Sequence, residues 1–204
     1  MPKLIGPAAR AIAILRVKFQ RLNGEKRALK ALLYGPPGTG KTEVAMALAR
    51  EIAGHSTDIM RVNGKEITLE FVRGFKDRLR IPSLFGGTTV LLADECDRMT
   101  ADARDLMLSV LDLMPHGVAF IGTSNEDMIS DSAMKTERFQ TRLQPIPVGP
   151  PSEKEIADYL GELFPGIPAA TVAQIAQCSQ GNVRAAVLDA ENFLDFQEAA
   201  ALAA

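Results

Sequence analysis

Charge of one sign is scarce in this chain. Its 23 lysines and arginines face 25 aspartates and glutamates, a net charge of −2. There is thus no overall basic signature for nucleic acid, and any such contact has to be made by a local face. Cysteine is nearly absent. Cys96 and Cys178 stand far apart and fit no metal-ligand spacing, and their apolar or helical surroundings point to buried free thiols in a reducing compartment. His55 and His116 have no ligand or nucleophile beside them in the sequence, which argues against metal and triad roles. No apolar run approaches the roughly 20 residues that span a bilayer, and Met1 to Arg10 lacks the long apolar core of a signal peptide. The expectation is a soluble cytoplasmic protein with no membrane partner. What the chain does have is bulk: 204 residues, 47% hydrophobic, enough for one good core and a small second domain.

Residues 35–42 read Gly35-Pro36-Pro37-Gly38-Thr39-Gly40-Lys41-Thr42, a complete Walker A phosphate-binding loop. It lies between apolar Leu32-Leu33-Tyr34 and a helical pattern from Glu43 to Arg50, the strand, turn and helix that the motif needs. The glycines let backbone N–H groups turn inward around phosphate oxygens, and the helix start adds partial positive charge. Lys41 can reach the β- and γ-phosphates, and Thr42 can offer its hydroxyl to Mg²⁺.

Along the chain, Ala8, Ile12, Leu15, Phe19 and Leu22 recur at helical spacing, with Arg10, Arg16, Lys18 and Arg21 among them. This predicts a helix over 8–22 whose basic residues form a solvated face. Short apolar runs follow at 29–34, 59–62, 88–93, 118–123 and 142–148, with helical patterns near 41–53, 67–80 and 101–114. That alternation predicts a parallel sheet with helices on both faces. Pro145 and Pro147 make the fifth run short and peripheral. Gly149-Pro150-Pro151 is the boundary, dividing an α/β nucleotide-binding domain at 1–149 from a helical lid at 150–204. Ser152 and Glu155 form a capping box for the first lid helix, to about Phe164. Helices from about Ala169 to Cys178 and from Val183 toward Phe196 complete the lid; the last can run on into the alanine-rich tail, where 198–204 are weakly specified.

Val90 to Ala93 is an apolar run ending in Asp94 and Glu95, the Walker B pattern. Asp94 would bind Mg²⁺ through water and Glu95 would orient the attacking water. Side chains alternate along a strand, so the two carboxylates point in different directions, as one metal role and one water role require. After the next apolar run, Val118 to Ile121, comes Gly122-Thr123-Ser124-Asn125. Asn125 is the candidate to hold the water. Met99, Met107 and Met114 read as core, as does the face of Phe71, Val72 and Phe75.

These motifs, in this order, resemble an AAA+ ATPase module, and Asp94-Glu95-Cys96-Asp97-Arg98-Met99-Thr100 is similar to the acid box of the clamp-loader branch. The resemblance covers about residues 4–195. It implies a P-loop NTPase fold with a five-stranded parallel sheet and helical lid, and hydrolysis of ATP with Mg²⁺. It also implies roles for further residues. Leu4-Ile5-Gly6 matches the adenine-side box, giving Ile5 a place at the base. Asn63 matches the residue that pairs with the catalytic glutamate when the site is off, Asn125 matches sensor 1, and Arg184 in Gly181-Asn182-Val183-Arg184 matches sensor 2. Arg138 in Glu137-Arg138-Phe139 matches the arginine finger, and Arg142 is a second candidate. A finger acting in trans implies a homo- or hetero-oligomer, and the branch implies DNA or a sliding clamp as partner. The paired arginines also resemble protein-remodelling AAA chaperones, where 71–74 would be a pore loop; an ATP-gated scaffold is a third alternative.

Overall fold

The computed structural model describes residues 3–79, 81, 83, 86–125 and 142–202. Strands β1 (Leu29–Tyr34), β2 (Ile59–Asn63), β3 (Thr89–Asp94), β4 (Val118–Ser124) and β5 (Gln144–Pro147) form one sheet in the order β2-β3-β4-β1-β5. Every pairing is parallel. All strand C-termini therefore lie along one edge, where a sheet of this kind places its ligands. β3 and β4 are central and almost wholly buried, so they read as unbroken apolar runs. Among the described residues β5 pairs with β1 alone; Pro145 and Pro147 lack the N–H that a strand between two partners would need.

Two cores seal the sheet. On one face Val90, Leu92, Ala31 and Ile121 pack under α1 (Gly6–Gly24) and α2 (Lys41–Ile52). On the other, Leu91, Ala93 and Phe120 pack under α3 (Leu69–Arg78) and α4 (Ala101–Asp112). Alternate residues of β3 serve opposite cores, as the strand period requires. Thr68 and Thr100 cap α3 and α4 through their hydroxyls, each satisfying an N–H that the helix itself cannot. Residues 69–78 are helical, with Val72 and Phe75 buried and Phe71 packed against the core. Met99, Met107 and Met114 are buried, as expected. The basic residues of α1 find acids: Arg16 pairs with Glu51 of α2, and Arg21 with Glu25.

Residues 153–202 carry three helices, α5 (Glu153–Leu163), α6 (Ala169–Cys178) and α7 (Val183–Leu202). The Ser152–Glu155 capping box is formed. These helices share a separate small core of Ile156, Leu160, Ile167, Val172, Ala176, Ala186 and Ala190. One open point is decided and one expectation is corrected. The alanine-rich tail continues α7 to Leu202, because a run of alanines has the best helix propensity available. Cys178 is exposed: it ends α6 on the side away from Val172 and Ala176. Cys96 is the buried thiol, and its burial pushes its pKa up.

Candidate functional site

The Walker A loop leaves β1 at Gly35 and enters α2 at Lys41. Gly40, in the N-cap position, offers no side-chain cap to α2, so the first N–H groups of that helix face the loop. This is the arrangement that receives an anion. Lys41 Nζ donates to the Gly35 and Pro36 carbonyls, both at 2.7 Å, and Thr39 Oγ1 donates to Pro36 O at 2.9 Å. Burial holds Lys41 below the usual lysine range; Asp94 and Asp97 pull against this, and Arg184 adds to it. Arg184, the second residue of α7, thus lies within the electrostatic reach of the phosphate-loop lysine.

β3 delivers Asp94 beside α2. Asp94 Oδ1 accepts from Thr42 Oγ1 at 2.8 Å and from Thr123 Oγ1 at 2.6 Å, and Oδ2 accepts from Arg61 at 3.0 Å. Burial acts to raise the Asp94 pKa, but the bonds from Thr123, Thr42 and Arg61 outweigh it and hold the carboxylate below its ordinary range. Glu95 leaves the strand with φ 52° and ψ 47°, a left-handed conformation that non-glycine residues rarely adopt and that clusters at functional sites. This bend turns its side chain away from Asp94 and toward Arg98, 2.7 Å away. The Arg98 bond, with support from Asn63, keeps Glu95 below the usual glutamate range. Thr123 ties the two acids together: its hydroxyl donates to Asp94 and accepts from the Glu95 N–H at 3.0 Å.

Thr42, Asp94 and Lys41 are thus brought together, with Glu95, Asn63 and Arg184 at the same edge. Asn125 directly follows β4, beside the end of β3. Ile5 packs against the small core of the C-terminal helices. Arg142 Nε donates to both carboxylate oxygens of Asp112, at 2.7 and 2.8 Å, at the end of α4. Arg138 lies outside the described residues. The sequence assigns no role to Thr123, Arg61 or Arg98, although Thr123 and Arg98 lie within the motif stretches 122–125 and 94–100. The only hint is position: Thr123 is the next-to-last residue of β4, Arg61 stands in the middle of β2 two residues before Asn63, and Arg98 comes three residues after Glu95.

The C-terminal helices dock on this loop. Val183 N–H donates to Gly38 O at 3.1 Å, and Asn182, whose Oδ1 caps α7 at Ala185, fills the space over Gly38. A Cβ on Gly38 would stand 1.9 Å from that oxygen, and its φ of 78° favours glycine in any case. Gly181, at φ 85°, likewise leaves room for Pro150 of the connector.

The donors suit Mg²⁺. Thr42 and Asp94 supply oxygen only, and among the described residues no group of three His, Cys, Asp or Glu forms an all-protein cage. Mg²⁺ is commonly held by one or two protein oxygens with waters and substrate phosphates completing its shell. No helix among the described residues is long and apolar enough to cross a membrane.

Comparison with known proteins agrees. The chain belongs to the ATPase family associated with various cellular activities (AAA), whose model matches residues 31–145. It is 32% identical over 121 residues to replication factor C subunit 3 of Saccharomyces cerevisiae, a match covering 57% of this chain and 36% of that protein. It is 29% identical over 124 residues to replication factor C small subunit 2 of Pyrobaculum aerophilum, covering 57% and 38%. ATPase family gene 2 protein homolog A of Homo sapiens is 28% identical over 180 residues, 76% of this chain and 19% of that protein. The chain thus spans little more than a third of the replication factor C relatives it matches. Among solved structures, the Thermotoga maritima RuvB Holliday junction branch migration motor has a TM-score of 0.72 over 94% of this chain and 62% of that one, at 19% identity. The likeness establishes an AAA+ P-loop NTPase fold, with its five-stranded parallel sheet.

Proposed function

We propose that this chain is a Mg²⁺-dependent ATPase module of an oligomeric AAA+ machine, with a nucleotide-binding domain at 1–149 and a lid at 150–204. The observation that carries the reading is the chain of bonds Thr42–Asp94–Thr123–Glu95 at the mouth of the Walker A loop. It joins metal-binding groups to the acid that would act on water. When bound, Mg²⁺ would neutralise phosphate charge as the terminal bond breaks. The loop from Gly35 to Thr42 would cradle the phosphates, with backbone N–H groups from its non-proline residues, and Lys41 would turn from its carbonyls to them. Thr42 and Asp94 would hold the metal, Asp94 through water. Glu95 would orient the attacking water and Asn125 would fix it. Asn63, near enough to help lower the Glu95 pKa, would restrain that acid until the site is complete. Ile5 would lie at the base, and Arg184 would link the γ-phosphate to lid position.

The finger for a neighbouring subunit is assigned to Arg138, with Arg142 second because Asp112 already holds it. The similarity to replication factor C subunits favours clamp-loader-like work on DNA or a sliding clamp. The similarity to ATPase family gene 2 protein homolog A keeps a protein-remodelling role as the second reading; Phe71, packed on the core within α3, counts against a pore loop there. Stimulation of turnover by primed DNA favours the first reading, and stimulation by unfolded polypeptide the second.

The test of the ATPase is Glu95→Gln. Turnover should fall by roughly 10²–10⁴, the range for a lost general base, while ATP affinity stays within about twofold. Turnover equal to wild type removes Glu95 from the mechanism.

A further inference from the structure

Arg61 belongs to none of the motifs, yet its guanidinium rests on the carboxylate at the centre of the site. It stands on edge strand β2, two residues before Asn63 and on the same face. Asn63 pairs in register with Asp94, and Arg61 with Leu92, so the arginine reaches Asp94 diagonally along β3. Its Nη2 donates to Asp94 Oδ2 at 3.0 Å, while the hydroxyls of Thr42 and Thr123 both take Oδ1. One carboxylate is divided between two neutral donors and one cation, and the cation holds the oxygen that the hydroxyls leave. The Asp94 side chain is 17% exposed and that of Arg61 54%. The acid is fixed from three sides, whereas the arginine approaches from solvent on a long, mobile stem. A guanidinium and a hydrated divalent cation drawn to one carboxylate repel each other, and at a partly buried site that repulsion is not fully screened.

We propose that Arg61 is a positioning residue for the metal site: it occupies Asp94 Oδ2, keeps the carboxylate aimed toward Thr42, and lowers the affinity for free divalent metal. Metal is then retained when phosphates add negative charge, and Arg61 shifts toward solvent as it enters. The site is tuned to accept metal together with nucleotide and to discriminate against metal alone. This rests on the ATPase reading above.

The experiment uses Mn²⁺ as the probe, with free Mn²⁺ read by electron paramagnetic resonance. It is titrated into the full chain as wild type, Arg61→Gln and Arg61→Lys, with and without ADP. ADP affinity is measured in parallel in Mg²⁺ and in EDTA. Without ADP, Arg61→Gln should bind Mn²⁺ roughly tenfold tighter than wild type, the factor that about 1.4 kcal/mol of relieved repulsion gives. Arg61→Lys, which keeps the charge, should stay within about threefold of wild type, and with ADP the gap between wild type and Arg61→Gln should narrow. Arg61→Met carries the same expectation as Arg61→Gln if the latter fails to fold. Equal or weaker Mn²⁺ binding in the neutral variants overturns the proposal while leaving the ATPase reading intact. An ADP affinity in wild type that ignores Mg²⁺ overturns that reading and this proposal with it.

Discussion

The sheet and the C-terminal helices bury their apolar groups very differently. The sheet is sealed on both faces, with Leu33, Leu91, Leu92 and Phe120 fully out of water. The core of α5–α7 is small and leans on Ala176, Ala186 and Ala190, while Leu188, Phe196 and Leu202 of α7 stay exposed. Alanine gives helices propensity but little apolar area. The first region holds acids and hydroxyls in fixed geometry; the second rests on a much smaller apolar core. Its link to the phosphate loop is slight, the Val183–Gly38 hydrogen bond and the packing of Asn182. A short polar latch and a small core fit the lid role proposed for these helices, since regions that move come from the less stable parts of a structure.

The strongest way to break this comparison is in the two cores. Leu92→Ala should cost about 2–5 kcal/mol and lower the denaturant midpoint of the whole chain. Ile156→Ala, at an equally buried place in α5, should instead speed amide hydrogen exchange in 153–202 and leave the sheet amides slow. Equal acceleration in both regions would show one cooperative unit.

Within the sheet, Asp97 tests how far fixed geometry is stabilising. It is 4% exposed, and neither carboxylate oxygen has a well-formed hydrogen bond; the nearby Ser124 hydroxyl and its own N–H give partial support. Burial raises its pKa above the ordinary value. A raised carboxylate pKa means that the folded state binds the proton more readily than the unfolded state. The stabilising contribution is full below the unfolded pKa and disappears as pH rises through the folded one. Asp97→Asn should therefore stabilise the protein by about 1–3 kcal/mol at pH 7, with the gain shrinking as pH falls toward about 4. Thermal unfolding at several pH values measures it. A gain that is constant with pH would point to packing instead.

Smaller effects belong to the latch. Arg184→Ala should reduce the preference for ATP over ADP by roughly fivefold to tenfold, since a coupling of about 1 kcal/mol or more is lost; unchanged affinities for both would leave Arg184 a surface charge. Val183→Pro is milder still. Proline is tolerated at the first position of a helix, so α7 should persist while its N–H bond to Gly38 goes. A loss of about 0.5–1.5 kcal/mol, confined to faster hydrogen exchange in α7, is expected. Loss of the helix signal in circular dichroism would contradict it.

Much of this molecule is legible in the chain, for identifiable reasons. The five strands announce themselves because parallel strands are apolar on both faces, and each expected run falls within two residues of an observed strand. The Walker loop and its helix are local: eight consecutive residues carry the geometry. Cys178 was misplaced because helical spacing over one turn does not say which side a terminal residue takes. Thr123, Arg61 and Arg98 were missed for a related reason. Each meets Asp94 or Glu95 only because parallel pairing sets β2, β3 and β4 side by side in this register or because Glu95 adopts a left-handed turn. By itself the sequence determined the elements, the family and the acids and lysine of the site, all of which rest on neighbours in the chain. Tertiary structure alone decided how Asp94 is shared between two hydroxyls and an arginine, and that α7 rests on Gly38. Those contacts join residues 29 to 145 positions apart, and no local periodicity carries information over that distance.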